Sequence, residues 1–516
     1  MSIEYPFIVD SLKGLRPDNK DRDASSGFLV TCTNIRVVNN GLEQQEAIAN
    51  TISGVTVTQS WPWPQILEEE EIILLFFSTT IWSLNRDTWV ATQITTYDSL
   101  IPANTKAIPS GGGVWHLAAF GEHWIATKGN CHVFLFPGQS SKAYVVDSTT
   151  DTTVFQSCCN HDGRLIVGGI SGTYLADSVF LSLFRVWRSS ASKNIKVSDE
   201  AAIQGNWLLF GAKGGSDIDL PFWPLMHILS YPSLTAVTKA RELLYNLIEK
   251  GEVQFLQLPA NGTVQCLRPF QNGFVAYTTD RVIIMREEGN TYVPQVISKI
   301  GIPSRGCVSG SSSKHLYVNK SLQLNQIDSG GHRNLRYADQ LTGLTTSLIS
   351  MVWNEGEDET YISDGTSGYI YTDFGLSKTI TFTSAIMESN IGVQNSPASP
   401  QAFDIKTGET NLGTNGLKYV NYVLVKTYNC TSMKLNLEYR MSPTASWIQT
   451  ADIYGSGEGE FYVGVACNEF RIRLRGTVGT AGKIEELSAR CQFQDRQIIR
   501  GPRGTGVGQV QSGADV

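Results

Sequence analysis

The feature of this sequence that most limits its fold is a recurring unit of short apolar strands separated by polar or Gly-containing turns. In its clearest copy, residues 266–285, Gln271-Asn272-Gly273 separates two apolar strands. Further copies begin at Ile72, His116, Ser157, His315 and Ile349. Six copies over residues 65–180 and 262–390 leave about 41 residues for each, the size of a four-stranded propeller blade.

One such unit cannot bury both of its faces, whereas a ring of units covers them and leaves no long exposed strand edge. The repeat therefore predicts a mainly β protein with a β-propeller of about six blades. Five or seven blades, or a pair of β-sandwiches, are the alternatives.

Changes in pattern along the chain predict six segments. These are an N-terminal arm with entry strands (1–64), the first half of the propeller (65–182), an insertion (183–261), the second half (262–390), a C-terminal β-sandwich (391–499) and a flexible tail (500–516). The insertion combines the apolar run Trp207-Leu208-Leu209-Phe210 with an amphipathic helix between Ser233 and Gly251. It either plugs the propeller's own face or packs against a partner.

Two short patterns support the outer segments. Asn39-Asn40-Gly41 lies between two β-prone runs and predicts a hairpin with a type I′ turn. After residue 390, apolar residues alternate with a period of two, which is typical of an antiparallel sandwich. The alternating sets are Val420, Tyr422 and Leu424; Leu435, Leu437 and Tyr439; and Phe470, Ile472 and Leu474.

The composition favours assembly over nucleic-acid binding. Only 17% of the residues are charged, below the roughly 25% usual for soluble domains, while 48 residues are Gly and 10% are aromatic. Such a surface is expected to be partly covered by partners. The net charge of -7 argues against tight phosphate binding. The first residues show no secretory signal, and no apolar run is long enough to span a membrane, so we expect no membrane association.

No catalytic motif is present: there is no Walker loop, HExxH, nucleophile elbow or EF-hand loop. The nine cysteines form no CxxC pair and are predicted to be buried thiols. His116, His123 and His132 could converge on a metal, but ordinary hydrogen bonds explain them better. The sequence therefore predicts a protein that is not an enzyme and has no cofactor or metal.

Three groups of residues are candidates for a functional surface. Glu68, Glu69, Glu70 and Glu71 precede an apolar strand, where they either prevent edge pairing or face a channel. Arg471, Arg473 and Arg475 share one face of one strand, where they meet solvent, a carboxylate-bearing neighbour or phosphate, and a protein partner is favoured. Phe222, Trp223, Leu225 and Met226 are candidate interface residues within the insertion.

Four stretches resemble a known family, the tail nozzle and packaged-DNA stabilisation proteins that complete the head and tail of tailed bacteriophages. They are Asn34-Ile35-Arg36-Val37 with Gly41-Leu42; Phe222-Trp223-Pro224-Leu225-Met226; Gly251-Glu252 with Phe255-Leu256-Gln257-Leu258-Pro259; and Glu469-Phe470-Arg471-Ile472.

The resemblance implies a structural virion protein of the tail, assembled in the host cytoplasm. Its subunits would form a homo-oligomeric ring, usually of six, below the portal and adaptor proteins and near the tail fibre or needle proteins. The ring would line the DNA channel, retain the packaged genome and pass double-stranded DNA during ejection. An acidic lining would repel phosphates and so permit passage.

Two other functions are compatible with the sequence. A receptor- or glycan-binding propeller of the tail would line a pocket with aromatic residues such as Trp82, Trp115 and Trp124. A propeller hydrolase would need carboxylates or histidines clustered at one end of the central channel, and no spacing in the sequence requires such a cluster.

Overall fold

The computed structural model divides the chain into two compact units. The smaller consists of Met1–Ala47, Ser367–Phe382 and Ser396–Val516, and the larger of Ile48–Thr366 and Thr383–Asn395. The structure describes residues 4–9, 12–18, 27–39, 41–44, 53, 65–68, 73–85, 87–98, 104–120, 123–135, 142–147, 154–171, 206–210, 254–289, 291–354, 358–379, 401–412, 416–455 and 459–493.

The chain enters through four strands of the smaller unit: β1 (Glu4–Val9), β2 (Leu29–Thr33), β3 (Arg36–Val38) and β4 (Gly41–Glu43). β3 and β4 form an antiparallel hairpin in which Val38 pairs with Gly41. The predicted hairpin is therefore confirmed, with Gly41 as its first residue after the connection. Its expected type I′ turn is wrong, because neither Asn39 nor Gly41 has the positive φ that such a turn requires of both central residues.

The larger unit is a succession of four-stranded antiparallel sheets, each with its strands side by side in chain order. Blade 1 is β5 (Gln65–Glu68), β6 (Ile73–Phe76), β7 (Ile81–Leu84) and β8 (Ala91–Gln93). β9 (Thr95–Asp98) pairs in parallel with the last strand of blade 2, which is β10 (His116–Phe120), β11 (His123–Thr127), β12 (Cys131–Leu135) and β13 (Lys142–Asp147). Blade 3 is β14 (Val154–His161), β15 (Arg164–Ser171), β16 (Trp207–Phe210) and β17 (Gln254–Gln257).

The pattern continues through the second half of this unit. Blade 4 is β18 (Val264–Phe270), β19 (Gly273–Thr278), β20 (Val282–Glu288) and β21 (Thr291–Ser298), and blade 5 is β22 (Val308–Gly310), β23 (His315–Val318), β24 (Leu324–Asp328) and β25 (Gly331–Asn334). The short helix α1 (Ala338–Leu341) and a 3-10 turn (Thr346–Leu348) lead to β26 (Ser350–Asn354) and β27 (Glu359–Ser363), the first two strands of a sixth repeat.

Neighbouring blades pack their faces together. One apolar cluster joins Leu74, Phe76 and Ile81 of blade 1 to Trp124 and Val133 of blade 2. A second cluster joins blade 3 to blade 4 in the same way. Stacked four-stranded meanders that bury their faces against one another are the architecture of propeller blades, and the mainly β, propeller-type fold class is confirmed.

Blade 3 differs from the sequence-based expectation in one respect. Trp207-Leu208-Leu209-Phe210, assigned above to the insertion, is β16, which pairs with β15 on one side and β17 on the other. Two long segments of this region are therefore inserted into blade 3, one between β15 and β16 and the other between β16 and β17. The helix expected between Ser233 and Gly251 lies outside the described residues.

The rest of the smaller unit contains β28 (Gly368–Thr372), β29 (Gly375–Thr379), β30 (Gln401–Thr407), β31 (Lys418–Arg440), β32 (Ile448–Gln449), β33 (Ile453–Gly455), β34 (Gly459–Cys467) and β35 (Glu469–Phe493). β31 and β35 pair along almost their whole length. The other edge of β35 is covered in turn by β30, β4 and β1, and that of β31 by β32, β33 and β34.

Both long strands bend at their middle. Their pairing shifts register three times between Lys426 and Lys434, and Asn429, Ser432 and Ala481 have positive φ there. Phe7, which pairs with the far part of β35, meets Phe470 near its start with ring centroids 5.8 Å apart. The expected C-terminal sandwich is thus one sheet folded over so that its two halves face each other.

Candidate interaction surfaces

The first family-like stretch anchors the entry hairpin to β35. Leu42 pairs with Ile484, and the Arg36 guanidinium lies 3.4 Å from the Glu43 carboxylate, which also contacts the Lys483 ammonium. A Cβ atom at Gly41 would lie 2.8 Å from the Ile484 carbonyl oxygen. Glycine is required here by the close approach of β35, because Gly41 lies in β4 with ordinary negative φ instead of in the turn.

The three alternating arginines form what we call the arginine face, on the outer side of the folded sheet. Arg473 donates two hydrogen bonds to the Asp404 carboxylate, at 2.9 and 2.5 Å, across the β30–β35 pair. This carboxylate raises the pKa of Arg473. Arg471 lies 2.8 Å from Glu409, and Arg475 lies 2.7 Å from Asp452.

A wider network surrounds these pairs. Lys406 contacts Glu438, and Arg440 contacts Glu469. The guanidinium carbons of Arg440 and Arg471 lie 4.6 and 4.0 Å from the centre of the Trp447 ring. Such stacking favours arginine over lysine, since the planar guanidinium is weakly hydrated.

The arginine face is therefore neutralised by the chain itself. Sequence reasoning left solvent, a carboxylate or phosphate as partners of Arg471, Arg473 and Arg475, and each meets a carboxylate of the same chain. Their proposed contact with another protein stays a prediction. Because each guanidinium is already paired, the face offers little unbalanced positive charge to a polyanion.

The other half of the folded sheet carries an exposed set of aromatic residues that the sequence analysis missed. We call Tyr419, Tyr422 and Tyr462 the tyrosine face. Tyr462 is 74% exposed and Tyr419 is 39% exposed. Tyr422 pairs with Tyr462, with ring centroids 5.9 Å apart, and the Arg490 guanidinium lies 5.5 Å from the Tyr422 ring.

A β-bulge explains why the sequence pattern hid this surface. The pairing of β31 with both of its neighbours shifts between Val420 and Tyr422. Val420, Val423 and Val425 are consequently the buried residues, whereas strict alternation had placed Tyr422 and Leu424 on the same face as Val420. The sequence signal that could have found this surface is the number of tyrosines in β31, which carries Tyr419, Tyr422 and Tyr428 within ten residues.

The tryptophan pocket of the glycan-binding alternative is wrong for two of its three residues. Trp115 and Trp124 are 3% and 7% exposed and belong to the core between blades 1 and 2, and Trp115 donates a hydrogen bond to the Phe77 carbonyl. Trp82 is half-buried and donates to the Thr80 hydroxyl. The hydrophobic surface of Trp115 and Trp124 stabilises the blades and is not available to a ligand.

Histidines and cysteines occupy the interior. His116 contacts the Ser157 hydroxyl at 2.7 Å, and His132 stacks on Phe155, where burial lowers its pKa to about 3. All nine cysteines are buried free thiols, as expected. Within the described ranges, no three His, Cys, Asp or Glu side chains converge as a metal site would require. The side chain of His123 is not among those described.

The structure describes only one of the remaining candidate residues. Glu68 ends β5, opposite Ile73, whereas Glu69, Glu70 and Glu71 lie outside the described residues. Phe222, Trp223, Leu225 and Met226 also lie outside them. In the part of the chain that is described, no helix is long and apolar enough to cross a membrane.

Comparisons with known proteins give distant matches. No protein-family model matches the sequence, and no curated protein matches it. Among solved structures, the chain is similar to PorZ of the Porphyromonas gingivalis type-IX secretion system, with 10% identity, a TM-score of 0.30 and coverage of 81% of this chain. It spans about half (52%) of the PorZ chain.

Two further matches cover more than three quarters of the matched chain. The Pan2 WD40 domain of Neurospora crassa has 10% identity and a TM-score of 0.32, with 67% of this chain and 86% of that chain covered. BamB of Moraxella catarrhalis has 9% identity and a TM-score of 0.31, with 67% and 79% covered. At TM-scores this low, the matches carry no argument about the fold. The architecture is established by the blades and the folded sheet.

Proposed function

We propose that this chain is a structural subunit that assembles with copies of itself into the ring of a bacteriophage tail nozzle or head-to-tail connector. The observation that carries the proposal is the tyrosine face, an exposed aromatic surface beside an arginine face whose charges are satisfied internally. Tyrosine is enriched at the centres of protein interfaces, where it supplies a large contact area at low entropic cost. The low charge of the whole chain supports the same function.

The finer parts of the proposal come from the family-like stretches. The ring would hold about six subunits, sit near the portal, adaptor and fibre or needle proteins, and surround the DNA on its way out of the capsid. It would carry out no catalysis and need no cofactor. The neutralised arginine face supports this function, because a conduit should not hold phosphate groups tightly.

The oligomeric state of the double variant Tyr462→Ser with Tyr419→Ser tests this interface. We expect the purified wild-type chain to elute as a multimer of about six by size-exclusion chromatography with light scattering. Tyr462→Ser combined with Tyr419→Ser should dissociate at a concentration at least tenfold higher, because the centre of the interface loses its aromatic contacts.

Tyr454→Ser is the matched control, since Tyr454 is 70% exposed but lies beside Lys434 at the edge of the arginine face. It should leave the multimer intact. Equal weakening by both sets of substitutions would argue against the tyrosine face. If the wild type is monomeric and the tyrosine variants lose binding on a glycan array, the receptor-binding alternative replaces the ring.

A further inference from the structure

An exposed loop without charged residues ends the half of the folded sheet that carries the arginine face. It comprises residues 441–448, Met-Ser-Pro-Thr-Ala-Ser-Trp-Ile, which lead from β31 into β32. Met441 and Ile448 at its two ends are 50% and 49% exposed. We call it the tryptophan loop. Exposed apolar residues in a segment without charge are typical of the centre of a protein interface, where charged residues are depleted.

The tryptophan loop is held in place by its own chain. The Trp447 ring lies on the guanidinium groups of Arg440 and Arg471, whose central carbons are 4.6 and 4.0 Å from the ring centre. The Asn468 side chain donates a hydrogen bond to the Met441 carbonyl. A surface that has one conformation before binding loses little entropy when a partner covers it, so the loop is suited to a specific contact.

The charges around the Trp447 ring are balanced, so a partner can cover them without leaving an unpaired ion. They are three cations and three carboxylates joined by ion pairs: Lys406, Arg440 and Arg471 with Glu409, Glu438 and Glu469. An unpaired charge is costly to desolvate in an interface, and a neutral network costs less. The chemistry of the loop therefore favours an aromatic partner surface with little net charge.

The tyrosine face of the same chain has this chemistry but cannot reach the loop. The two halves of the folded sheet face each other, so their outer sides point away from one another. The tyrosine face lies on one outer side, and the Trp447 ring lies on the other, against the arginine face. Each copy thus presents two different surfaces in opposite directions. A ring of more than two identical subunits needs such a pair, because each subunit uses one surface for the copy before it and the other for the copy after it.

Building on the ring-forming function proposed above, we propose that the tyrosine face of one copy binds the tryptophan loop of the next copy. Tyr419 and Tyr462 would pack against Trp447 and Met441, since aromatic rings attract both other rings and the sulfur of methionine. Repetition of this single head-to-tail contact closes a ring when the rotation between neighbouring copies divides a full turn, and otherwise builds an open filament.

The first test is the oligomeric state of Met441→Glu, which places a charge in the apolar contact. Its multimer should dissociate at a concentration at least about tenfold higher than that of the wild type, as measured by size-exclusion chromatography with light scattering. Leu348→Glu is the matched control, because Leu348 is 48% exposed in the 3-10 turn of the larger unit, and it should leave the multimer intact. If Met441→Glu does not fold, Ile448→Glu replaces it.

The control Tyr454→Ser introduced above also agrees with this contact. Tyr454 pairs with Lys434, which at about 3.3 Å per residue lies about 20 Å along β31 from Arg440. It is therefore remote from the tryptophan loop although it belongs to the same half of the folded sheet.

A mixing experiment tests the head-to-tail arrangement itself. The tyrosine variant, Tyr462→Ser with Tyr419→Ser, keeps an intact loop, and Met441→Glu keeps an intact tyrosine face. Each variant alone should be monomeric at a concentration at which the wild type is assembled. An equimolar mixture should form dimers with one chain of each kind and nothing larger, because the two altered surfaces lie at the ends of the dimer.

The outcomes separate this contact from the function on which it rests. If the wild type and every variant are monomeric, both the ring and the contact fall. If the tyrosine variant dissociates but Met441→Glu stays assembled, the loop is not the partner and the ring stands. Equal weakening by Leu348→Glu, or a mixture that stays monomeric, would also overturn the contact. Open filaments of the wild type that Met441→Glu dissolves would support the contact and contradict the ring.

Discussion

His315 shows how burial fixes the state of a single side chain in this protein. Its Nδ1 accepts a hydrogen bond from the Tyr277 hydroxyl at 2.8 Å, and its Nε2 donates to the Pro269 carbonyl at 3.0 Å. Both contacts fit a neutral ring. Burial, assisted by the charge of Arg268, lowers the pKa of His315 to about 3.

Acid should therefore destabilise the larger unit at a predictable pH. Between pH 6.5 and about 3 the unfolded state binds a proton at His315 that the folded state does not, so stability falls as the pH drops below 6.5. The contribution approaches about 1.4 kcal/mol per pH unit below pH 6.5. Urea unfolding between pH 7.5 and 5 should show a shallower pH dependence for His315→Gln than for the wild type; identical slopes would exclude this role.

At the same scale, residue spacing predicted directions but not partners. A period of two placed Arg471, Arg473 and Arg475 on one side of a strand, and the structure agrees because β35 is regular there. Their carboxylates come from distant positions, such as Asp404 on β30. Pairing between strands far apart in sequence sets these contacts, so no local pattern could identify them.

At the scale of elements, local chemistry predicted strands well and their connections less well. The Asp162-Gly163 turn of blade 3 has the positive φ at both residues that its sequence favours. The assignment of β16 to the insertion failed because its partners, β15 and β17, are each separated from it by long excursions. β31 and β35 bend at β-bulges, and the sequence contains no strong signal for these bulges.

The entry hairpin gives a direct test of this packing. Gly41→Ala would place a methyl group 2.8 Å from the Ile484 carbonyl oxygen, and the backbone of β35 cannot move aside without breaking its pairing with β31. We expect a loss of about 2 kcal/mol in the free energy of unfolding, measured by chemical denaturation.

Gly459→Ala, at the start of β34, is the control, because a Cβ there would meet nothing within 4 Å. It should change the free energy of unfolding by less than about 0.5 kcal/mol. Equal effects of the two substitutions would mean that the close approach of β35 does not constrain the hairpin.

At the scale of the whole molecule, the repeat predicted the blades, and the proposed function adds that the chain assembles with copies of itself. A long chain with few charges, internally neutralised arginines and exposed tyrosines is suited to forming extended contacts with other subunits. The sequence could not locate the tyrosine face, the contact surface that we propose, since the bulge at Tyr422 reverses which residues of β31 face outward.

Negative-stain electron microscopy of the purified chain tests the central claim most directly. Class averages should show closed rings with about sixfold symmetry and an axial opening, and Tyr462→Ser with Tyr419→Ser should convert them to single particles. Single particles of the wild type at concentrations well above micromolar would contradict the proposal that this protein is a ring-forming subunit.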